Sequence, residues 1–221
     1  MGGRGSNFSG GGGSFADALQ GKGGTPGKAH PIDINKFPGM TIQQAEERAR
    51  KLGHEELFVF DEKGKLVAGY KGGKDSVAFP TSELSRKGAT VTHGHPKGAE
   101  DFGGTLSFAD VGNMLRSNWS EHRATASGQG EMNYIMRRTN KADSAGLMQR
   151  MLKDANGLEA QVKSEARKAR KRALSTGKTP QQAEHEARQK GVGVLNRYYK
   201  DTMPKYGFEY VTRKNPYPYQ R

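Results

Sequence analysis

The segment Leu57-Phe58-Val59-Phe60-Asp61-Glu62-Lys63-Gly64-Lys65-Leu66-Val67-Ala68-Gly69-Tyr70 decides the fold class. Leu57–Phe60 is an unbroken apolar run, short and rich in aromatic and β-branched residues, and it reads as a buried strand. Asp61 to Gly64 supplies turn chemistry, and Leu66–Tyr70 returns as the hairpin partner. Upstream, Thr41-Ile42-Gln43-Gln44 has the spacing of a capping box and Gly53 sits where a terminating glycine belongs, which predicts a short helix over roughly 41–52. Downstream, a third strand is expected from Ala89 to Thr92, running into the histidine segment.

Further along, Ser107 to about Ser117 is expected to be a helix. Arg123–Arg138 reads as a hairpin turning at Ser127-Gly128-Gln129-Gly130. From about Ala142 the pattern changes to long helices. The first extends to about Leu174. The second opens at Thr179-Pro180, an N-cap followed by proline, and runs to about Thr202 with a break at Gly191-Val192-Gly193. Phe208–Val211 is expected to be a last strand. The fold class is therefore α+β: a small mixed β-sheet core with flanking helices and a long basic helical insertion before the last strand. Residues 1–30 are Gly/Ser-rich and are expected to form a disordered arm; 31–139 form the core, 140–204 the basic helical segment, and 205–221 the final strand and tail. TIQQAEERARKLG at 41 and TPQQAEHEARQKG at 179 agree at eight of thirteen positions, which a shared helix-capping code explains without duplication.

The chain has no cysteine, which excludes disulfides, thiolate metal sites and cysteine nucleophiles. It has no apolar leader and no apolar run of membrane-spanning length, so a cytoplasmic protein without membrane association is expected. The net charge is +13, and residues 141–221 hold 18 Lys/Arg against 8 Asp/Glu, so most of the excess lies there. Such a field favours an anionic partner, either nucleic acid or an acidic protein. Arg167, Lys168, Arg170, Lys171 and Arg172 are the candidate contact residues, and a solvated helix face is the alternative. Oligomeric state is not readable.

Val91-Thr92-His93-Gly94-His95-Pro96 carries the chemistry. Two histidines at i and i+2 on a strand project from one face, so both imidazoles can reach one ion. A catalytic zinc site needs a third protein donor, and Asp110 is the first candidate, with Glu100 and Asp101 behind it. Glu55 and Glu56, at the mouth of the first strand, can supply a proton-shuttling carboxylate. On spacing alone, Ser107-Phe108-Ala109-Asp110 also reads as nothing more than a helix cap.

Taken in order, Glu55/Glu56, the strand Leu57–Phe60, the hairpin, VTHGHP, LSFADV and the closing hairpin resemble the JAB/JAMM (MPN-like) metallopeptidase family, in particular its RadC-like bacterial branch. The resemblance covers residues 54–139. It implies zinc held by His93, His95 and Asp110, Ser107 steadying a tetrahedral intermediate, and Glu55 or Glu56 as general base. The implied activity is hydrolysis of an amide or isopeptide bond. The stretch between His95 and Asp110 is longer than the family's usual one. The layout also looks similar to bacteriophage and mobile-element modules, and that resemblance implies a host-cell cytoplasm if the protein is phage-encoded. Two other readings remain open: a metal-independent nuclease or toxin-like module using His93/His95, and a non-enzymatic phage accessory or counter-defence protein.

Overall fold

A seven-stranded mixed sheet organises the chain, and its order explains where the histidines sit. The structure, a computed structural model, describes residues 13–22, 28–74, 76–95, 104–126 and 132–214. Pro96, Glu100, Asp101, the turn 127–130 and the tail after Lys214 lie outside them. The strands are β1 (His30–Pro31), β2 (Glu56–Phe60), β3 (Leu66–Lys71), β4 (Thr90–His95), β5 (Glu121–Ala126), β6 (Met132–Arg138) and β7 (Phe208–Lys214). They form one mixed sheet in the order β1-β3-β2-β4-β5-β6-β7, antiparallel throughout except for the parallel pair β4–β5.

Five α-helices accompany the sheet among the described residues: α1 (Phe15–Gln20), α2 (Ile42–Lys51), α3 (Phe108–Arg116), α4 (Ser144–Ser175) and α5 (Pro180–Thr202). The α+β class and the long helix before the last strand are as expected. One sheet face packs Leu57, Val59, Val91 and Ala124 against Phe108, Val111, Leu147, Met151 and Tyr199. The other face packs Phe58 and Phe60 against Ala45 of α2. α3 is the crossover between the parallel strands, which puts it over the first face.

Three local expectations change. The arm assigned to residues 1–30 contains α1: Ser14 and Asp17 form a capping box, and Phe15, Ala18 and Leu19 are buried. Phe15 stacks on Phe108 with ring centroids 4.2 Å apart, burial that the surrounding Gly/Ser composition conceals. α5 runs without a break through Gly191-Val192-Gly193, because Gly191, Val192 and Val194 are packed into the core. β7 extends to Lys214, past the expected end at Val211, because β6 pairs with it along its whole length. No helix among the described residues is long and apolar enough to cross a membrane.

Candidate metal centre

Period-2 alternation and the strand register decide which side chains meet. Leu57 pairs with His93, and His93 with Ala124, so these three share the face covered by α3. Val91 pairs with His122, which puts His122 on that face too. Continuing the β2–β4 register two residues sets Glu55 opposite His95, again on the same side. Glu56 points the other way. Its carboxylate receives two hydrogen bonds from the Arg48 guanidinium, at 2.6 and 3.0 Å, and lies 3.4 Å from His54 Nε2. The sheet thus separates the two glutamates that sequence alone left equivalent.

Gly94 sits between the histidines for a steric reason. A Cβ there would come within 2.8 Å of Ala49 Cβ and 3.1 Å of the Ala49 carbonyl oxygen, so α2 lies directly on β4 at this point. α3 brings the carboxylate. Ser107 caps the helix, its amide and its hydroxyl each donating to Asp110 Oδ2 at 2.8 Å, while the Asp110 amide donates back to Ser107 Oγ at 3.1 Å. The cap reading and the site reading hold together. Oδ2 serves the cap, and Oδ1 lies 3.3 Å from His93 Nε2.

The donors converge. His93 Nε2 and His95 Nε2 lie 3.0 Å apart, and His95 Nε2 is 3.8 Å from Asp110 Oδ2. Donors about 2.0–2.1 Å from a tetrahedral ion stand roughly 3.3 Å from one another, so these separations have the scale of a ligand set. His93, Asp110 and His122, all buried, each offer an atom within 4.8 Å of the others and form a group able to hold a metal ion.

His122 carried no signal in the sequence, being a lone histidine inside His122-Arg123-Ala124-Thr125-Ala126-Ser127. Its Nδ1–H donates to the Asp110 carbonyl at 3.0 Å. A carbonyl only accepts, so the proton resides on Nδ1 and the lone pair on Nε2. That Nε2 is buried with no hydrogen-bond partner among the described residues. An imidazole oriented through one nitrogen with the other bare is the usual arrangement of a metal-ligating histidine.

The electrostatics are those of a paired, buried cluster. Burial alone would lower the His93 imidazole, but the Asp110 carboxylate, helped by its hydrogen bond and by Glu55, lifts it to about 9. Burial would raise the Asp110 carboxyl, yet the three imidazoles, led by His93, hold it well below the usual carboxylate range. His122 lacks comparable support, and burial drops it to about 4, so it is neutral near pH 7.

The surroundings fix these groups. Arg138 donates to the carbonyls of Met114 (2.9 Å), Ser117 (3.0 Å) and Trp119 (3.1 Å), tying the end of α3 to the start of β5. On the entry side, Asn196 Nδ2 donates to the Gly104 carbonyl at 2.8 Å and Tyr199 Oη to the Leu106 carbonyl at 3.2 Å. Tyr210 Oη contacts Thr105 Oγ1 at 3.0 Å and donates to Asn196 Oδ1. The segment 104–106, which delivers Ser107 and Asp110, is therefore strapped down by α5 and β7.

Arg167, Lys168, Arg170, Lys171 and Arg172 are exposed on α4 and take no part in the cluster. Compared with protein-family models, with curated proteins and with solved structures, the chain gives no match. What the structure offers towards a function is the grouping of His93, Asp110 and His122, a set able to hold a metal ion.

Proposed function

We propose that the chain is a zinc-dependent hydrolase of JAMM type acting on an amide or isopeptide bond. The observation that carries this reading is the buried convergence of His93, His95, Asp110 and His122, with Glu55 on the same face. Imidazoles with one carboxylate suit zinc; calcium and magnesium prefer sets of oxygens. The bare Nε2 of His122 and the neutral state of its ring fit such an occupant.

His93 and Asp110 are the constant members of the donor set, completed by His95, His122 or both. Bound zinc supplies Lewis acidity, lowering the pKa of coordinated water and polarising a substrate carbonyl. Glu55 is the proton acceptor in this scheme: it is buried, on the histidine face, and close enough to influence His93. Ser107 acts as a positioning residue, since its hydroxyl proton is committed to Asp110 Oδ2.

The test is elemental analysis of the purified protein beside the His93→Ala/His95→Ala double variant, followed by a peptide and isopeptide cleavage screen with and without chelator. About one zinc per chain, absent from the variant, with chelator-sensitive cleavage, is the expected result. Hydrolysis that survives chelation would transfer the reading to a metal-independent His93–Asp110 acid/base pair. Neither metal nor hydrolysis would end it.

A further inference from the structure

We propose that the distal half of the α4–α5 hairpin is a docking arm for double-stranded nucleic acid, gripped through its phosphates. This rests on a region remote from the metal cluster and stands whether or not the hydrolase reading does.

Two helices lie side by side here with little between them but alanine. Ala173, Ala183 and Ala187 are the buried residues of the distal hairpin, whereas the proximal half of α4 buries Leu147, Met151, Leu158 and Val162. Small residues let helix axes approach to about 8 Å. On this narrow support residues 163–190 place nine Lys/Arg against three Asp/Glu.

The three acids are already used. Glu165 pairs with Lys168 at 2.8 Å, Glu184 with Arg170 at 3.3 Å and Arg188 at 3.2 Å, and Glu186 with Lys178. Arg167, Lys171, Arg172 and Lys190 are exposed and have no ion-pair partner among the described residues. Crowding like charges on a thin hairpin opposes its own folding unless an anionic surface takes them up.

Their placement has a shape. At about 100° per residue, Arg167 and Lys171 point directly away from the buried stripe of α4. Lys168 and Arg172 occupy one flank, Lys163 and Arg170 the other; of these four, Lys163, Lys168 and Arg170 hold carboxylate partners, Lys163 through Glu159, and Arg172 holds none among the described residues. A helix 10–12 Å across matches the major groove, about 12 Å wide, so that the unpaired Arg167, Lys171 and Arg172 would face the phosphates along it. Residues 141–197 contain no Phe, Tyr or Trp. Without stacking platforms the arm is unsuited to splayed single-stranded bases, which favours a duplex read by charge and shape.

The experiment measures fluorescence anisotropy of a labelled duplex of about 20 base pairs against the full chain across a salt series. It compares wild type, the triple Arg167→Glu/Lys171→Glu/Arg172→Glu, and a control triple, Lys36→Glu/Lys51→Glu/Lys63→Glu, with the same charge change on exposed residues elsewhere. Wild-type log K should fall linearly with log salt. The hairpin triple should bind about 100-fold more weakly at low salt with a slope reduced by about 3, and the control triple should stay within about threefold of wild type. Should the Glu triple lose its helical signal, the corresponding Gln triple carries the same comparison. Equal binding by the hairpin triple, or equal weakening in both triples, would overturn the proposal. Displacement of the duplex by polyglutamate at matching charge would assign the arm to an acidic protein instead, and also overturn it.

Discussion

Tyr199, in the long helix before the last strand, donates its buried hydroxyl to the carbonyl of Leu106, which stands just before the helix that presents Asp110. The helical insertion is thereby part of the site's support. Tyr199→Phe keeps the ring but strands the Leu106 carbonyl, at a cost of about 1–3 kcal/mol. We expect a lower melting temperature and at least tenfold weaker zinc binding in a competition titration, reproduced by Asn196→Ala. A fall in melting temperature with unchanged zinc affinity would show that the strap stabilises the fold without placing Asp110.

The two adjacent glutamates should separate cleanly. Glu55→Gln should abolish hydrolysis while leaving zinc content intact, and should lower the pKa of His93 in the metal-free protein, since Glu55 helps to raise it. Glu56→Gln should spare activity and cost about 1 kcal/mol through its half-exposed partner Arg48. Cleavage assays, zinc analysis and histidine NMR titration together read both halves; reversed phenotypes would reassign the base.

Metal binding should release protons. His93 is raised to about 9 in the metal-free cluster, so at pH 7 it carries a proton that a metal must displace. Apparent zinc affinity should climb about tenfold per pH unit below about 9 and flatten above. Calorimetry in buffers of different ionisation enthalpy should count about one proton released at pH 7. Metal-free stability has the opposite sign. The His93 contribution is complete below its ordinary value of 6.5 and lost as pH rises through about 9, whereas that of neutral His122 is complete above 6.5 and lost as pH falls towards about 4. The melting temperature of metal-free protein should therefore peak near pH 6.5 and fall on either side.

Gly94→Ala should destabilise the chain by about 1–3 kcal/mol, because the added methyl must push α2 away from β4. Urea midpoints measure it. A midpoint equal to wild type would mean that α2 shifts freely and contributes little to holding β4.

The apolar runs Leu57–Phe60 and Leu66–Tyr70, and the capping boxes at Thr41, Ser107 and Thr179, were readable because each is a local signal tied to local geometry. So were His93, His95 and Asp110. The choice between Glu55 and Glu56 was not. Adjacent strand residues face opposite ways, and only pairing with β4 says which face is which. His122 was hidden because it joins the cluster through a parallel register with Val91, a relation without a sequence-local trace. α1 did leave a trace that composition obscured: Ser14-Phe15-Ala16-Asp17 repeats Ser107-Phe108-Ala109-Asp110, and both make the same capping box.

The single parallel pairing in the sheet has a consequence for biosynthesis. His93, His95, Asp110 and His122 all belong to one strand–helix–strand crossover, β4–α3–β5, so every candidate ligand has been synthesised once residue 122 is made. Asn196 and Tyr199, which lock the approach to Asp110, leave the ribosome later. A nascent chain thus holds all four candidate donors while the strap over segment 104–106 is still unmade, and closure of the strap is the later event.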